Sequence, residues 1–291
     1  MRVQLKSLAL WLIGLALMLA CTAGPATPPN PIATPLMSPT PIPSTAIPPP
    51  TPTPPLPADW TEAQAGLWVR EVAIAAQGKS TDAKAILIKI DPARYKIRVA
   101  YNPAVPQRVV GWLPPAGTAV VINAGFFQED HTTAGLIISG GIESGLSFDQ
   151  SLDTTAAPGM FSLTGGVPNI HYLVQRSYDL AVDHLDEAVQ GFPILIRDGS
   201  PETFTLPDRA AWRTVVGIDA QGYVVLIHVS RGEVTLLRLQ SWLISESGLG
   251  LNAALNLDGG TSTGVAIRAG NVSAVLDSVT RVPSVIEVTS K

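Results

Sequence analysis

The feature that most limits how this chain can fold is a proline- and threonine-rich segment that runs from Pro25 to Ala58. It holds fifteen of the 26 prolines in the 291-residue chain. Proline fixes its φ angle and has no N–H to donate, so this composition supports neither helix nor sheet. We predict an extended stalk over residues 21–59, which at ~3.1 Å per residue would reach on the order of 100 Å. A disordered tail with no spacing role is the alternative. One folded domain is expected over residues 60–291.

The first twenty residues have the pattern of an export signal. Arg2 and Lys6 give a basic start, and the run Leu8–Ala20 is almost wholly apolar. That run is too short to span a bilayer as a helix, which needs roughly 20 residues. It ends in Met18-Leu19-Ala20-Cys21, which resembles the lipobox of bacterial lipoproteins. We therefore predict a signal peptide over residues 1–20, lipidation of Cys21, and export to a bacterial cell envelope, with the protein lipid-anchored to the outer surface of the membrane. An ordinary cleaved signal followed by a chance cysteine is the alternative.

Composition excludes several classes of function. Cys21 is the only cysteine, which rules out disulfides within the chain and thiolate metal cages. The formal net charge is −4, and Lys and Arg form no cluster, so nucleic-acid binding is not expected. No cofactor or metal is implied, although a bound divalent cation stays open.

Short apolar runs separated by Gly, Pro, Asn and Asp dominate the folded part and predict many strands. Strands are predicted at 85–90, 95–101, 119–122, 135–139, 160–163, 194–196, 215–219, 223–229, 254–257, 265–267 and 285–288. A helix is predicted after Thr235, which can cap it, and is expected to end at Gly248 or Gly250. A shorter second helix is expected over Asp183–Val189. Many strands and few helices, without strict alternation, predict an α+β fold with a mixed or antiparallel sheet.

The segment Ala254–Ile267 allows two interpretations. Gly260–Gly264 spells G-x-S-x-G, the pattern of a serine-hydrolase elbow. Such an elbow leads into a helix and is followed by its histidine, whereas here another strand follows and all four histidines precede Ser262. The carboxylate interpretation places Asp258 at the end of a buried strand, before a glycine turn that a ligand can approach closely. A simple Asp-Gly turn between strands is the structural alternative.

Three further segments place polar residues where a strand meets a turn. They are Val120–Phe127 with Asn123, Gln190–Gly199 with Arg197 and Asp198, and Arg209–Asp219 with Arg213. Asparagine can donate and accept hydrogen bonds, and an aromatic face can stack on a sugar ring. This repetition is typical of a site assembled at one edge of a sheet.

Together these segments resemble the phosphodiester glycosidase family. The family shows four ordered blocks, N-[AG]-G-[FY]-F, L-x-x-D-G, R-[TA]-x-x-G and L-D-G-G-G-S-[ST]. Here they occur as Asn123–Phe127, Leu195–Gly199, Arg213–Gly217 and Leu257–Thr263. One position departs from the pattern, because Thr261 stands where the family usually has its third glycine.

The resemblance implies hydrolysis of a sugar, GlcNAc-like, from a sugar-1-phosphodiester in envelope or extracellular glycans. Asp258 would act at the anomeric carbon, as nucleophile or as base for water, and Arg213 would bind the phosphate. Asp198 would be the second acid. Substrate contacts are expected from Asn123, Gly125, Phe126, Phe127, Arg197, Gly259, Gly260, Thr261 and Ser262.

Several of these roles have structural alternatives. Arg213 could pair with Asp208 or Asp219, Asp198 could merely begin a turn, and one of Phe126 and Phe127 is expected to lie in the core. A non-catalytic glycan- or cell-wall-binding lipoprotein is the alternative for the whole protein.

Overall fold

Eighteen β-strands and two α-helices make up the part of the chain that the structure, a computed structural model, describes. The described residues are 59–147, 154–207 and 209–291. The predicted signal, Cys21, Asp208 and all of the predicted stalk but its last residue lie outside them, so those expectations stay predictions. The described residues belong to one compact unit, in agreement with the predicted single domain.

The strands form three sheets, and within each sheet every pair of neighbouring strands is antiparallel. The eight-stranded sheet contains β1 (Thr61–Gln64), β2 (Leu67–Ile74), β3 (Ala83–Ile90), β11 (Ile194–Arg197), β12 (Ser200–Pro201), β13 (Ala211–Asp219), β14 (Val224–Val234) and β15 (Leu251–Asn256). One five-stranded sheet contains β4 (Tyr95–Tyr101), β5 (Ala119–Asn123), β16 (Val265–Ala269), β17 (Val272–Leu276) and β18 (Ser284–Ser290). The other contains β6 (Ile137–Ser139), β7 (Ile142–Ser144), β8 (Gly159–Thr164), β9 (Val167–Tyr172) and β10 (Glu187–Gly191).

The spatial order in the eight-stranded sheet is β1-β2-β3-β14-β13-β15-β11-β12. The orders in the two smaller sheets are β17-β16-β5-β18-β4 and β7-β6-β10-β8-β9. Side chains from all three sheets meet in one central core, which includes Ile88, Ile122, Phe161 and Leu255. The opposite face of the eight-stranded sheet packs on the longer helix. Because the central strands are covered on both faces, they appear in the sequence as short continuous apolar runs.

The longer helix, α2, spans Leu236–Ser245 and confirms the prediction for this segment. The Thr235 side chain accepts a hydrogen bond from the N–H of Arg238, which satisfies one of the free donors at the helix start. Leu239, Trp242 and Leu243 bury its apolar face. The helix ends at Ser245, before the glycines where its end was expected.

The expected helix over residues 183–189 is wrong. The short helix α1 spans Leu180–Asp183, and His184 ends it in the left-handed region. Residues 187–191 instead form β10, which is buried and pairs with β6 and β8. Local helical spacing is outweighed here by two neighbouring strands that complete a buried ladder.

The other predicted elements are confirmed. Each predicted strand overlaps an observed one, and residues 220–222 form the turn between β13 and β14, with Gly222 at φ 86°. Among the described residues, no helix is long and apolar enough to cross a membrane.

Candidate active site

The candidate site lies where the chain passes from the eight-stranded sheet to the sheet that contains β16. Strand β15 ends at Asn256, and β16 begins at Val265. The N–H of Leu257 still bonds to the carbonyl of Thr214 on β13, at 2.9 Å. The next N–H, that of Asp258, bonds to the carbonyl of Ala124 after β5, at 3.1 Å. Asp258 therefore sits at the junction of the two sheets.

Asn123 holds both ends of the loop that follows Asp258. It is the last residue of β5 and is 1% exposed. Its Nδ2 donates to the backbone oxygen of Asp258 at 2.7 Å, and its Oδ1 accepts from the N–H of Gly264 at 3.1 Å. The hydroxyl of Thr214 also donates to this Oδ1, at 2.7 Å. The Asn123 amide therefore makes three bonds inside the protein, and it orders the loop.

Two glycines in this loop are required for different reasons. A Cβ on Gly259 would lie 2.7 Å from the carbonyl oxygen of Trp212, so any side chain there would push the loop away from β13. Gly260 has open space around it but lies at φ 59°, where residues with a side chain are strained. The backbone then makes one 3-10 turn over Gly260–Ser262.

The carboxyl of Asp258 has an environment that changes its acidity. Its Oδ1 accepts a hydrogen bond from the N–H of Gly259 at 2.8 Å. The carboxyl also accepts one from the hydroxyl of Ser262. Burial raises the pKa of Asp258 to about 6, and these two hydrogen bonds oppose that rise. A carboxyl that titrates near neutral pH is suited to exchange protons with a substrate or water.

The hydroxyl of Ser262 donates a hydrogen bond to this carboxyl. Its side chain is 6% exposed, which limits access to its oxygen. The recorded contacts between histidine and serine side chains in the described chain are His171 with Ser162 and His228 with Ser230. The serine-hydrolase interpretation of this segment therefore has no support from the geometry.

Thr261, which replaces the third glycine of the family pattern, points to a neighbouring segment. Its Oγ1 accepts from the hydroxyl of Thr280 at 2.8 Å, and its carbonyl accepts from the N–H groups of Val279 and Thr280. The extra Cβ is thus accommodated by contacts with residues 279–280.

Arg213 lies on β13, next to the Asp258 loop. The register pairs Val215 with Asn256, and a Cβ on Gly259 would lie 3.8 Å from the Cα of Arg213. The Nε of Arg213 donates to the carbonyl of Val234 at 3.1 Å, and a terminal nitrogen donates to the carbonyl of Arg209. The alternative pairing of Arg213 with Asp219 is wrong, because Asp219 is buried against Lys89 at 2.7 Å.

The two aromatic residues after Asn123 have separate environments. Phe126 stacks on Phe192 with ring centroids 4.6 Å apart. Phe127 packs against the cluster formed by Val109, Val121 and their neighbours, as expected for one of the pair. Gly125 donates its N–H to the hydroxyl of Ser284, and a Cβ there would lie 2.9 Å from Val189. Both rings are half-buried, and Phe127 also stacks on His131 with ring centroids 5.7 Å apart. Phe126 lies outside that cluster and stays a candidate for stacking on a sugar.

Asp198 and Arg197 are not brought to this site, which corrects the expectation for both. The N–H of Gly199 bonds to the carbonyl of Asn252, at the far end of β15 from Asp258. Asp258 lies six positions after Asn252 along the chain, which at ~3.3 Å per residue is roughly 20 Å. Arg197 bonds to Glu202 at 2.5 Å and lies over the Tyr172 ring, while Asp198 is 83% exposed. The block L-x-x-D-G therefore begins in buried strand β11 and ends, at Asp198 and Gly199, in a surface turn.

Sequence reasoning missed Thr214 and Phe192 as neighbours of the site. Thr214 is fully buried within a strand, and Phe192 reaches Phe126 from a distant part of the chain. The strand alternation after Arg213 could have pointed to Thr214, but no local pattern indicates Phe192. Within the described ranges, no group of three or more His, Cys, Asp or Glu residues could hold a metal ion.

Comparison with known proteins adds a family and a fold. The model of the phosphodiester glycosidase family matches residues 116–289. No match was found among curated proteins.

Three solved structures share the fold. The catalytic domain of zebrafish N-acetylglucosamine-1-phosphodiester alpha-N-acetylglucosaminidase, auto-inhibited by its pro-peptide, has a TM-score of 0.56 at 17% identity, with 77% of this chain and 82% of that chain covered. A hypothetical protein from Synechocystis has a TM-score of 0.56 at 17% identity, with coverages of 82% and 64%. A candidate exported protein from Burkholderia pseudomallei has a TM-score of 0.51 at 12% identity, with coverages of 74% and 75%.

Proposed function

Because this chain belongs to the phosphodiester glycosidase family, we propose that it hydrolyses the bond between the anomeric carbon of a sugar and a phosphodiester oxygen. Water adds its oxygen to the anomeric carbon, the bond to the phosphate oxygen breaks, and the products are a free sugar and a phosphomonoester. The substrate is a GlcNAc-like sugar-1-phosphodiester in envelope or extracellular glycans.

The observation that carries this proposal is the carboxyl of Asp258, held at a sheet junction with a pKa raised to about 6. The transition state of glycoside cleavage resembles an oxocarbenium ion and is stabilised by a nearby carboxylate. At neutral pH most Asp258 side chains are ionised, so the group can attack the anomeric carbon or accept a proton from the attacking water. Its raised pKa makes it a better proton acceptor than an ordinary aspartate.

Arg213 is proposed to bind the phosphate. Its backbone lies next to Gly259, the residue that follows Asp258, and its bonds to the carbonyls of Val234 and Arg209 hold the guanidinium in position. Guanidinium groups match phosphate oxygens in charge and geometry. Phosphate is already a good leaving group, so stabilising its charge substitutes for the strong general acid that ordinary glycosides need. Phe126 is proposed to contact the sugar ring.

We also propose that the enzyme is exported and tethered to the membrane. The support is the N-terminal sequence, with its short apolar run, Cys21 and the proline-rich stalk. A stalk of this kind would let the domain reach glycans at a distance from the membrane surface.

The test is release of free sugar from a GlcNAc-1-phosphodiester by the full-length chain. Asp258→Asn keeps the size of the side chain and a hydrogen-bond acceptor, and it is expected to abolish release while the protein stays folded. Asp186→Asn, an exposed aspartate on a distant turn, is the matched control and is expected to keep wild-type activity. Full activity of Asp258→Asn would refute the role of Asp258. Binding without product in the wild type would favour the non-catalytic glycan-binding lipoprotein.

A further inference from the structure

Two exposed arginines are neighbours near the Asp258 loop, although they are far apart in the sequence. The N–H and carbonyl of Gln107 bond to the carbonyl and N–H of Val282, at 3.2 and 2.7 Å. Arg108 follows the first of these residues and Arg281 precedes the second. They therefore lie next to each other across an antiparallel pairing, where facing Cβ atoms are about 5 Å apart. Val282 is buried, whereas both arginines are exposed.

The segment that carries Arg281 is bonded directly to the loop after Asp258. The carbonyl of Thr261 in that loop accepts hydrogen bonds from the N–H groups of Val279 and Thr280, at 2.9 and 3.0 Å. Thr261 follows Asp258 by three positions, and consecutive Cα atoms are about 3.8 Å apart, so the backbone of Arg281 lies within roughly 20 Å of Asp258. The arginine pair is therefore within the span of a short oligomer bound at the candidate site.

No acid of the described residues neutralises these two arginines. Within that part of the chain, neither guanidinium takes part in a salt bridge. Asp277 lies on the same segment as Arg281, but its Oδ1 accepts from the N–H groups of Val110 and Ser278 instead. Like charges that face each other across paired strands are destabilising. Two guanidinium groups held together without an acid indicate a site for an anion, which would offset their repulsion.

We propose that Arg108 and Arg281 bind a second phosphate group of the substrate, on the sugar chain beyond the bond that is cleaved. A guanidinium can hold phosphate oxygens with two parallel N–H groups, so two of them can hold one phosphate from two sides. A polymer of repeating sugar-phosphate units presents such a group beside each cleavable bond, whereas a substrate with one phosphodiester does not. This inference rests on the proposed function and extends it from a single linkage to an anionic polymer.

An anionic lipid headgroup offers the same phosphate chemistry. The bonds between Thr261 and the segment before Arg281 favour the substrate, because they place the arginines beside the loop that carries Asp258. The experiment therefore includes a separate ligand for each source.

The test is calorimetric titration of the full-length chain carrying Asp258→Asn, so that the ligands are not cleaved. One ligand is a trimer of N-acetylglucosamine 1-phosphate units joined by phosphodiesters. The other is the methyl phosphodiester of N-acetylglucosamine 1-phosphate, which has a single phosphate. The trimer is expected to bind about tenfold tighter or more, the effect of one or two added charge-assisted hydrogen bonds. This advantage should shrink at high salt, because the arginines are exposed.

The double variant Arg108→Gln, Arg281→Gln removes both charges at similar size. Its melting temperature should not fall, because the two charges repel each other. Its affinity for the trimer should drop about tenfold, to that of the single-phosphate ligand. With Asp258 intact, KM for the trimer should rise by the same factor while kcat stays unchanged. The matched control Lys79→Gln, Lys96→Gln removes the same charge at two exposed lysines and is expected to keep the tight binding of the trimer.

Unchanged affinity of the double arginine variant for the trimer overturns the proposal. So does an equal loss in the double lysine variant, which would reflect net charge alone. Glycerophosphoglycerol, the soluble headgroup of phosphatidylglycerol, tests the lipid source. If it binds more tightly than the trimer, and only when both arginines are present, the pair is a membrane contact and the proposal falls.

The outcomes also separate this proposal from the proposed function. If the wild type releases no sugar but the trimer still binds in an arginine-dependent way, the proposed function is refuted and the anion site stands. If sugar is released and the arginine variant binds and cleaves the trimer as the wild type does, the anion site is refuted and the proposed function stands.

Discussion

Replacing Asn123 by alanine should destabilise the protein more than any other single change at the site. The side chain makes three buried hydrogen bonds, to the backbone of Asp258 and Gly264 and to the hydroxyl of Thr214. Each such bond contributes on the order of 1 kcal/mol, and its loss leaves the partner unpaired. We therefore expect the free energy of unfolding to fall by about 3 kcal/mol.

Urea denaturation measures this loss directly. With a slope of ~2 kcal/mol per molar urea, a loss of that size lowers the midpoint by roughly 1.5 M. Asn252→Ala is the matched control, because Asn252 also lies in a β-strand, β15 of the eight-stranded sheet, but has an exposed side chain, and its midpoint should barely move. Sugar release by Asn123→Ala should also fall, since both ends of the loop that carries Asp258 lose their support.

A double-mutant cycle assigns the energy to the proposed network. Thr214→Val removes one of the three bonds and should cost about 1 kcal/mol. In the double variant the two losses should be less than additive, because they share that bond. The reasoning is refuted if Asn123→Ala costs less than about 1 kcal/mol, or if the two changes are strictly additive.

Four further predictions concern the loop and the carboxylates. The rate of sugar release should fall below a pH of about 6, because the reaction needs ionised Asp258; a flat profile from pH 5 to 8 would contradict this. The pKa of Asp258 in the folded protein is raised from its ordinary 3.8. Between pH 3.8 and about 6 the folded state therefore binds more protons than the unfolded state. The contribution of Asp258 to the free energy of unfolding is lost as pH rises through that window. Gly259→Ala should lower the melting temperature more than Gly260→Ala does, because only the first Cβ meets backbone, at 2.7 Å from Trp212; equal effects would contradict the close contact. Asp198→Asn should change kcat/KM less than twofold, because Asp198 lies at the far end of β15; a large loss would return it to the site.

The sequence predicted the elements whose signals are local. The Thr235 cap and the spacing of Leu236, Leu239 and Leu243 indicated α2, because capping and helical periodicity act within a few residues. Apolar runs bounded by glycine indicated the central strands for the same reason. The segment 183–189 shows the limit of such signals, because its strand forms only when β6 and β8 lie on either side of it.

The four blocks of residues identified the family and led to Asp258. They did not distinguish the polar strand ends that lie close to Asp258 from those that lie far from it. Only the tertiary structure showed that the backbone of Arg213 lies next to the loop after Asp258, while Asp198 lies near the other end of β15. Strand pairing is a contact between distant parts of the chain, and no local spacing encodes it.

By itself, the sequence determined that a strand-rich domain follows a proline-rich segment, and that an aspartate precedes a glycine turn within it. Tertiary structure alone decided that Asn123 supports that turn with all three of its observed bonds, and that His228 and Thr263 line the same cavity. The physical reason is that burial and hydrogen-bond partners depend on which sheets meet. Residues 123 and 228, on different sheets, become neighbours of the loop that contains residue 263 only when the two sheets join at Asp258.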